Sequence, residues 1–181
     1  MTARGGVGRR RLLVAAGVAA LAAGAGVALW RQRVVPLASA ELSGLWALQS
    51  DRPDGGRLDM AAFRGRPLLV NFWAPWCPPC VEELPMLDAF QRQHAGAGWQ
   101  VVGLAVDKPV AVQNFLARRP LGFPVGILGL AGLDVVKAMG NTSGGLPFTL
   151  VLDAGGNVRE RKMGQITPED LQRWATEPRA L

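Results

Sequence analysis

The sequence predicts an α/β domain with a mostly parallel central sheet, preceded by a membrane-directed segment. Three observations carry this. Residues 68–73 (Leu-Leu-Val-Asn-Phe-Trp) and 99–106 are short, almost wholly apolar runs, the pattern of strands buried on both faces. Each leads into a stretch with apolar residues at helical spacing: Val81, Leu84, Leu87 and Phe90 after the first, residues 110–118 after the second. Strand, helix, strand, helix is the order that sets parallel neighbours side by side through crossovers. With 181 residues and 49% hydrophobic content, the chain holds one ordinary domain plus an appendage, without need of a disulfide scaffold.

The appendage comes first. Arg9, Arg10 and Arg11 precede an uncharged run, rich in Ala and Gly, over residues 12–30, which is just long enough to span a bilayer. Arginines on its N-terminal side predict that the rest of the chain lies outside. The formal charge of +6 has the same origin: six of the 20 basic residues (Arg4, Arg9, Arg10, Arg11, Arg31, Arg33) and no acid fall in the first 33 positions. The remaining 14 basic and 14 acidic residues balance, so the basic excess describes a membrane contact and nucleic-acid binding loses its support. Two fates of the span stay open. It persists as an anchor, or the protein is exported and cleaved after Ala40, at Ala38-Ser39-Ala40; residues 9–13 also look like a loose twin-arginine signal. The ten or so residues between span and site, with Arg31 and Arg33 among them, favour the anchor. The organisation expected is therefore a basic segment and span over 1–33, a tether over 34–44 and the domain over 45–181.

Within the domain, residues 45–48 read as a weak strand, Asp54-Gly55-Gly56 as a turn, residues 58–60 as a second short strand and 61–65 as a single helical turn. After the first long strand, Pro78 and Pro79 fit a first helical turn, where a missing N–H has no intrahelical partner. Pro85 falls inside that helix and removes one of its hydrogen bonds. Pro120 closes the helix over 110–118. Further on, residues 148–152 and 158–163 form a hairpin about the turn at 153–157. Thr167-Pro168-Glu169-Asp170 is a helix start, with a hydroxyl cap, Pro at the first position and acids in the first turn. Leu171 and Trp174 mark its buried face.

The only two cysteines, Cys77 and Cys80, stand where the strand meets the helix. A cysteine at a helix N-terminus meets the positive end of the macrodipole and free amide hydrogens, so Cys77 is the expected nucleophile and Cys80, one turn in, the resolving thiol. Two intervening residues in a first turn bring the sulfurs within bonding reach, making a reversible dithiol–disulfide couple that needs no other cofactor. The two residues between set its direction. A histidine there would stabilise the Cys77 thiolate and make the disulfide an oxidant; Pro78 and Pro79 add no charge and remove two backbone donors, which predicts a reductase.

Asn-Phe-Trp-Ala-Pro-Trp-Cys-Pro-Pro-Cys, from Asn71 to Cys80, resembles the thioredoxin superfamily, and specifically its TlpA-like branch of membrane-anchored or exported bacterial thiol-disulfide oxidoreductases, which includes cytochrome c maturation members. Cytosolic thioredoxins usually carry Asp in place of Asn71. The resemblance runs from about residue 45 to the C-terminus. It implies a thioredoxin-like three-layer α/β/α fold with a mixed sheet, including a short strand insert over 123–127 and a helix over 133–139. It also implies that Pro147 is cis and packs against the cysteines, although the family usually has Thr where this chain has Phe148. Glu83 matches a functional acid of some TlpA-like reductases, and is expected to take the Cys80 proton, which Asn71 cannot do. Trp73 and Trp76 bracket the approach to the cysteines. Trp76, Pro78 and Pro79 are expected to face substrate, with Leu146 offering its backbone to an extended segment. The partners implied are protein thiols and disulfides, with apocytochrome c as the specialised case, and a membrane thiol carrier as electron donor; the protein is expected to act as a monomer.

A binding-protein alternative uses the same two thiolates to carry Cu(I). It calls for a further His or Met ligand, to be sought at His94, Met139 or Met163.

Overall fold

The computed structural model describes residues 37–176. The expected span over 12–30 and the tail after Thr176 lie outside the described residues, and among those described no helix is long and apolar enough to cross a membrane. Helix α1 (Leu37–Ala47) leads to strands β1 (Gln49–Asp51) and β2 (Arg57–Asp59) and a 3-10 turn (Met60–Phe63). Then follow β3 (Leu68–Trp73), α2 (Pro78–His94), β4 (Gln100–Ala105), α3 (Pro109–Arg118), β5 (Val125–Ile127) and α4 (Gly132–Ala138). A hairpin of β6 (Phe148–Leu152) and β7 (Val158–Met163) and helix α5 (Pro168–Thr176) complete the order.

The strands form one sheet in the order β2-β1-β5-β4-β3-β6-β7. β3, β4 and β5 are parallel neighbours, while β6, β7, β1 and β2 join antiparallel, so the sheet is mixed. Successive side chains of a strand point to opposite faces, and the centre of the sheet is sorted accordingly. Leu69, Trp73, Val101, Ala105 and Val151 pack with Leu84, Leu87 and Phe90 of α2, Phe115 of α3 and Trp174 of α5. Leu68, Val70, Phe72, Val102, Leu104, Phe148 and Leu150 pack on the other face with Leu45 and Trp46 of α1 and Val136 of α4. That is three layers with two cores. Gly103 is a requirement of the first: a Cβ there would come within 3.0 Å of both the Trp73 indole nitrogen and the Phe123 ring.

The beginning of the domain departs from expectation. Residues 45–48 are not a strand and 34–44 are not all tether, because α1 runs over Leu37–Ala47 and β1 starts at Gln49. The reason lies in spacing: Leu42, Leu45 and Trp46 all pack into the second core, a helical i, i+3, i+4 pattern rather than an alternation. Ala38, Ser39 and Ala40 fall within this helix.

The two edges of the sheet are of different kinds. β2 is three residues long, and Asp59 at its end caps the 3-10 turn by accepting from the Ala61 N–H at 2.9 Å. β7 reads Val-Arg-Glu-Arg-Lys-Met, and is tied to α5 through Glu160 with Arg173 and through Lys162 with Asp170 at 2.8 Å.

Candidate active site

Past Trp73 the chain turns at once into α2, with the Cys77 N–H donating to the Ala74 carbonyl at 3.1 Å. Cys77 is the N-cap of α2, with extended backbone (φ −97°, ψ 103°), and Pro78 and Pro79 occupy the first turn. The Val81 N–H donates to the Cys77 carbonyl at 3.1 Å. Cys77 and Cys80 are joined by a disulfide, S–S 2.06 Å, with their Cα atoms 5.3 Å apart. Cys77 keeps 4% of its surface and Cys80 none, so of the two only Cys77 can meet an incoming sulfur. Its place at the positive end of a 17-residue helix favours a thiolate there.

Register brings the next piece alongside. Phe72 of β3 pairs with Phe148 of β6, so Pro147, which opens β6, stands beside the end of β3 that leads to the cysteines. The Leu146–Pro147 peptide is cis. The Gly164 N–H occupies the Pro147 carbonyl at 2.9 Å, while the N–H and carbonyl of half-buried Leu146 have no partner among the described residues. Phe148 turns away from this edge: fully buried, it stacks on Phe72 at 5.7 Å in the second core. The residue at the position of the family's Thr is therefore a member of the second core.

Glu83 is not a solvated helix charge but wholly buried. One carboxylate oxygen accepts from Asn71 Nδ2 at 2.7 Å, the other from the Ile166 N–H at 2.8 Å. Asn71 Nδ2 also donates to Thr149 Oγ1 at 2.9 Å, and Asn71 and Thr149 are direct cross-strand partners on the first face of the sheet. Burial pushes the Glu83 carboxyl up to about 7, against the opposing pull of the Ile166 N–H, the Asn71 amide and the Lys162 charge. A carboxyl of that kind takes and returns a proton near neutrality. It sits on the helical turn after Cys80, where residues three apart share a face.

The remaining expected residues separate. Trp76 stands 59% exposed beside Cys77, with Pro78 exposed and Pro79 half-buried. Trp73 does not bracket the approach: it is fully buried and packs at 5.1 Å on Phe115, because as the last residue of a strand covered on both faces it points into the first core. Glu82 is exposed and accepts from Gln165 at 3.2 Å. His94, at the far end of α2, is half-buried with its ring 4.5 Å from that of Phe90, while Met139 is buried in the second core and Met163 is exposed on β7. No cluster of three His, Cys, Asp or Glu side chains able to hold a metal exists among the described residues.

The family model for Redoxin matches residues 37–176, the whole of the described structure. The chain belongs to the Redoxin family. Its disulfide-bonded Cys77–Cys80 pair places it with the family's thiol-disulfide oxidoreductases. This Redoxin-family chain is 30% identical over 122 residues to the thiol-disulfide oxidoreductase ResA of Bacillus thuringiensis subsp. konkukian (strain 97-27), covering 67% of this chain and 68% of that one. Among solved structures it resembles a thiol:disulfide interchange protein of the thioredoxin family from Chlorobium tepidum TLS. The TM-score is 0.61 at 30% identity, over 71% of this chain and 90% of that one. It also resembles DsbF of MTB, with a TM-score of 0.62 at 27% identity, over 73% and 95% of the two chains. The fold is thus thioredoxin-like, as the residues around the cysteines implied.

Thr149, Lys162 and the backbone of Ile166 are the parts of this Redoxin-family site that sequence reasoning missed. One signal was in view: Asn71 is a polar residue inside an apolar buried strand, and such a group requires partners. Its cross-strand neighbour two residues after Pro147 supplies one.

Proposed function

We propose that the protein is a disulfide reductase acting on the outer side of the cytoplasmic membrane, held there by the span over 12–30. Reduced, Cys77 attacks a substrate disulfide, forms a mixed disulfide and releases one substrate thiol; Cys80 then displaces the second, leaving the Cys77–Cys80 disulfide and a substrate reduced by two electrons. Glu83 takes the Cys80 proton in that second step. An extended substrate segment uses the free backbone of Leu146, with Trp76, Pro78 and Pro79 as its contact face. The redox-active group is the cysteine pair itself, recharged by a membrane thiol carrier. Protein disulfides in general are the substrates of this reading, with apocytochrome c, reduced at its haem-attachment cysteines, as the specialised case.

The surroundings of Cys77 carry the direction. Within α2 its thiolate is favoured by the helix N-terminus and by no side chain, since both intervening residues are prolines without N–H donors and the titratable group on the next turn is an acid. A thiolate with so little support makes a reducing couple. Equilibrated with a glutathione buffer poised at about −180 mV, the pair is expected to remain mostly disulfide, whereas a strongly oxidising pair near −120 mV would be almost wholly dithiol. A dithiol majority at that poise would reverse the assignment.

Location has its own measurement. A C-terminal reporter that fluoresces only in the cytosol is expected to stay dark, with the protein in the membrane fraction. A bright reporter ends the topology proposal, and a soluble product beginning at Glu41 replaces the anchor by a cleaved signal.

A further inference from the structure

Beside the cysteines, between the first half of α2 and the end of α3, runs a groove whose α3 side the proposed mechanism leaves unused. Its main cavity, about 510 Å³, is walled by Trp76, Pro78 and Val81 on one side and by Phe115, Arg118 and Arg119 on the other. A second hollow of about 260 Å³ shares Val81, Phe115 and Arg119 and continues the groove toward Leu121. The floor is firm, since Phe115 packs on the buried Trp73. Both arginines are exposed. Arg118 spends its Nε on the Asn114 carbonyl at 3.1 Å, and the Arg119 guanidinium lies 5.9 Å from the Phe115 ring centre. Neither forms an ion pair among the described residues, unlike Arg52, Arg92 and Arg173. Two acids also line the groove: Glu82 in the main cavity, which accepts from Gln165, and Asp88 in the second hollow, which is paired with Arg92. The main cavity therefore holds two guanidiniums against one carboxylate, while the Asp88 charge of the second hollow is matched by Arg92. Favouring the negative end of α3 accounts for a cation at its last turn; it does not account for two that line a groove opening on the exposed Trp76.

We propose that this groove receives the substrate polypeptide next to its reactive cysteine, and that Arg118 and Arg119 select segments with acidic side chains flanking that cysteine. The proposal rests on the oxidoreductase reading and adds a substrate class to it. Apolar contact with Trp76 and Phe115 is indifferent to sequence charge, so discrimination falls to the two guanidiniums. They are exposed and screened by salt, which makes the preference modest and ionic-strength dependent.

The test uses the full-length protein, reduced, in a nonionic detergent, with matched peptides whose single cysteine is a mixed disulfide with 2-thiopyridine. Flanking positions are Glu in one peptide and Lys in the other. Two electrons pass from the Cys77 and Cys80 thiols to the probe, giving the Cys77–Cys80 disulfide, peptide thiol and pyridine-2-thione, whose absorbance is followed. The Glu peptide is expected to react about fivefold faster than the Lys peptide at low ionic strength, with the ratio falling toward one in ~1 M salt. Arg118→Ala with Arg119→Ala should bring the ratio near one, and Arg118→Glu with Arg119→Glu should invert it. Arg57→Ala, on the exposed β2 edge, should keep the wild-type ratio. Equal rates in the wild type, or a preference that survives the double alanine variant, would overturn the docking proposal alone. Failure to reduce either peptide, together with failure on uncharged hydroxyethyl disulfide, would remove the oxidoreductase reading beneath it.

Discussion

In cells producing Cys80→Ser, partner proteins are expected to accumulate as mixed disulfides on Cys77, while Cys77→Ser captures none. The difference follows from burial. Cys80 has no surface and cannot be approached by a substrate sulfur, whereas Cys77 sits at the mouth of the site on a helix N-terminus. Attack therefore survives the loss of Cys80 and release does not. Turnover of a model disulfide should fall to the background exchange rate in both variants, so capture is the measurement that separates them. Non-reducing gels and mass spectrometry of the trapped partners give the readout, and would name the substrate as well. Equal capture by the two variants would refute the nucleophile assignment.

Replacing Glu83 with Gln is expected to act on rate and on stability, with opposite pH signatures. Release of the mixed disulfide should rise through an apparent pKa near 7 in the wild type, where the buried carboxyl titrates, and lose that inflection in Glu83→Gln with a fall of about 100-fold. Stability runs the other way. The carboxyl binds its proton up to about 7 in the folded protein but only to about 4.5 when unfolded, so between these values the native state holds the extra proton and stability declines as pH rises. The full loss, about 3 kcal/mol, is reached above pH 7. Gln carries no such loss. It does leave the Ile166 N–H or the Asn71 amide without its acceptor, at a cost of about 1–3 kcal/mol at every pH. The oxidised wild type should thus be the more stable of the two at pH 5 and lose that lead by pH 8.5. Denaturant unfolding at the two pH values checks this, and parallel stability curves would contradict a buried, titrating Glu83.

The centre of the fold was legible because its signals are local. Two apolar runs, helical spacing after each, and the hairpin turn at 153–157 all report on their own backbone, and the hairpin strands fall at 148–152 and 158–163 as expected. Cys77, Pro78 and Pro79 announce the helix start for the same reason. The Glu83 network was not legible in this way. It depends on register, since Asn71 and Thr149 are 78 positions apart and meet because β3 and β6 pair there. Trp73 shows the opposite failure: an aromatic four residues before a reactive cysteine looks like part of the site, yet strand parity sends it into the core. The helix at Leu37–Ala47 was obscured by small residues, which suit a tether as well as a first turn, so only Leu42, Leu45 and Trp46 mark it.

The charged margin of the sheet bears on how a client chain meets this domain. An unpaired strand edge invites any extended polypeptide to add itself, the step that begins aggregation. Here one margin is a three-residue strand and the other carries four consecutive charged residues, Arg159 to Lys162, so neither welcomes an uncharged extended client. Beside cis-Pro147, by contrast, the Leu146 main chain is open. On the proposed reading, an unfolded protein bearing a disulfide would settle its backbone beside the end of β3 that leads to the cysteines rather than on a sheet margin.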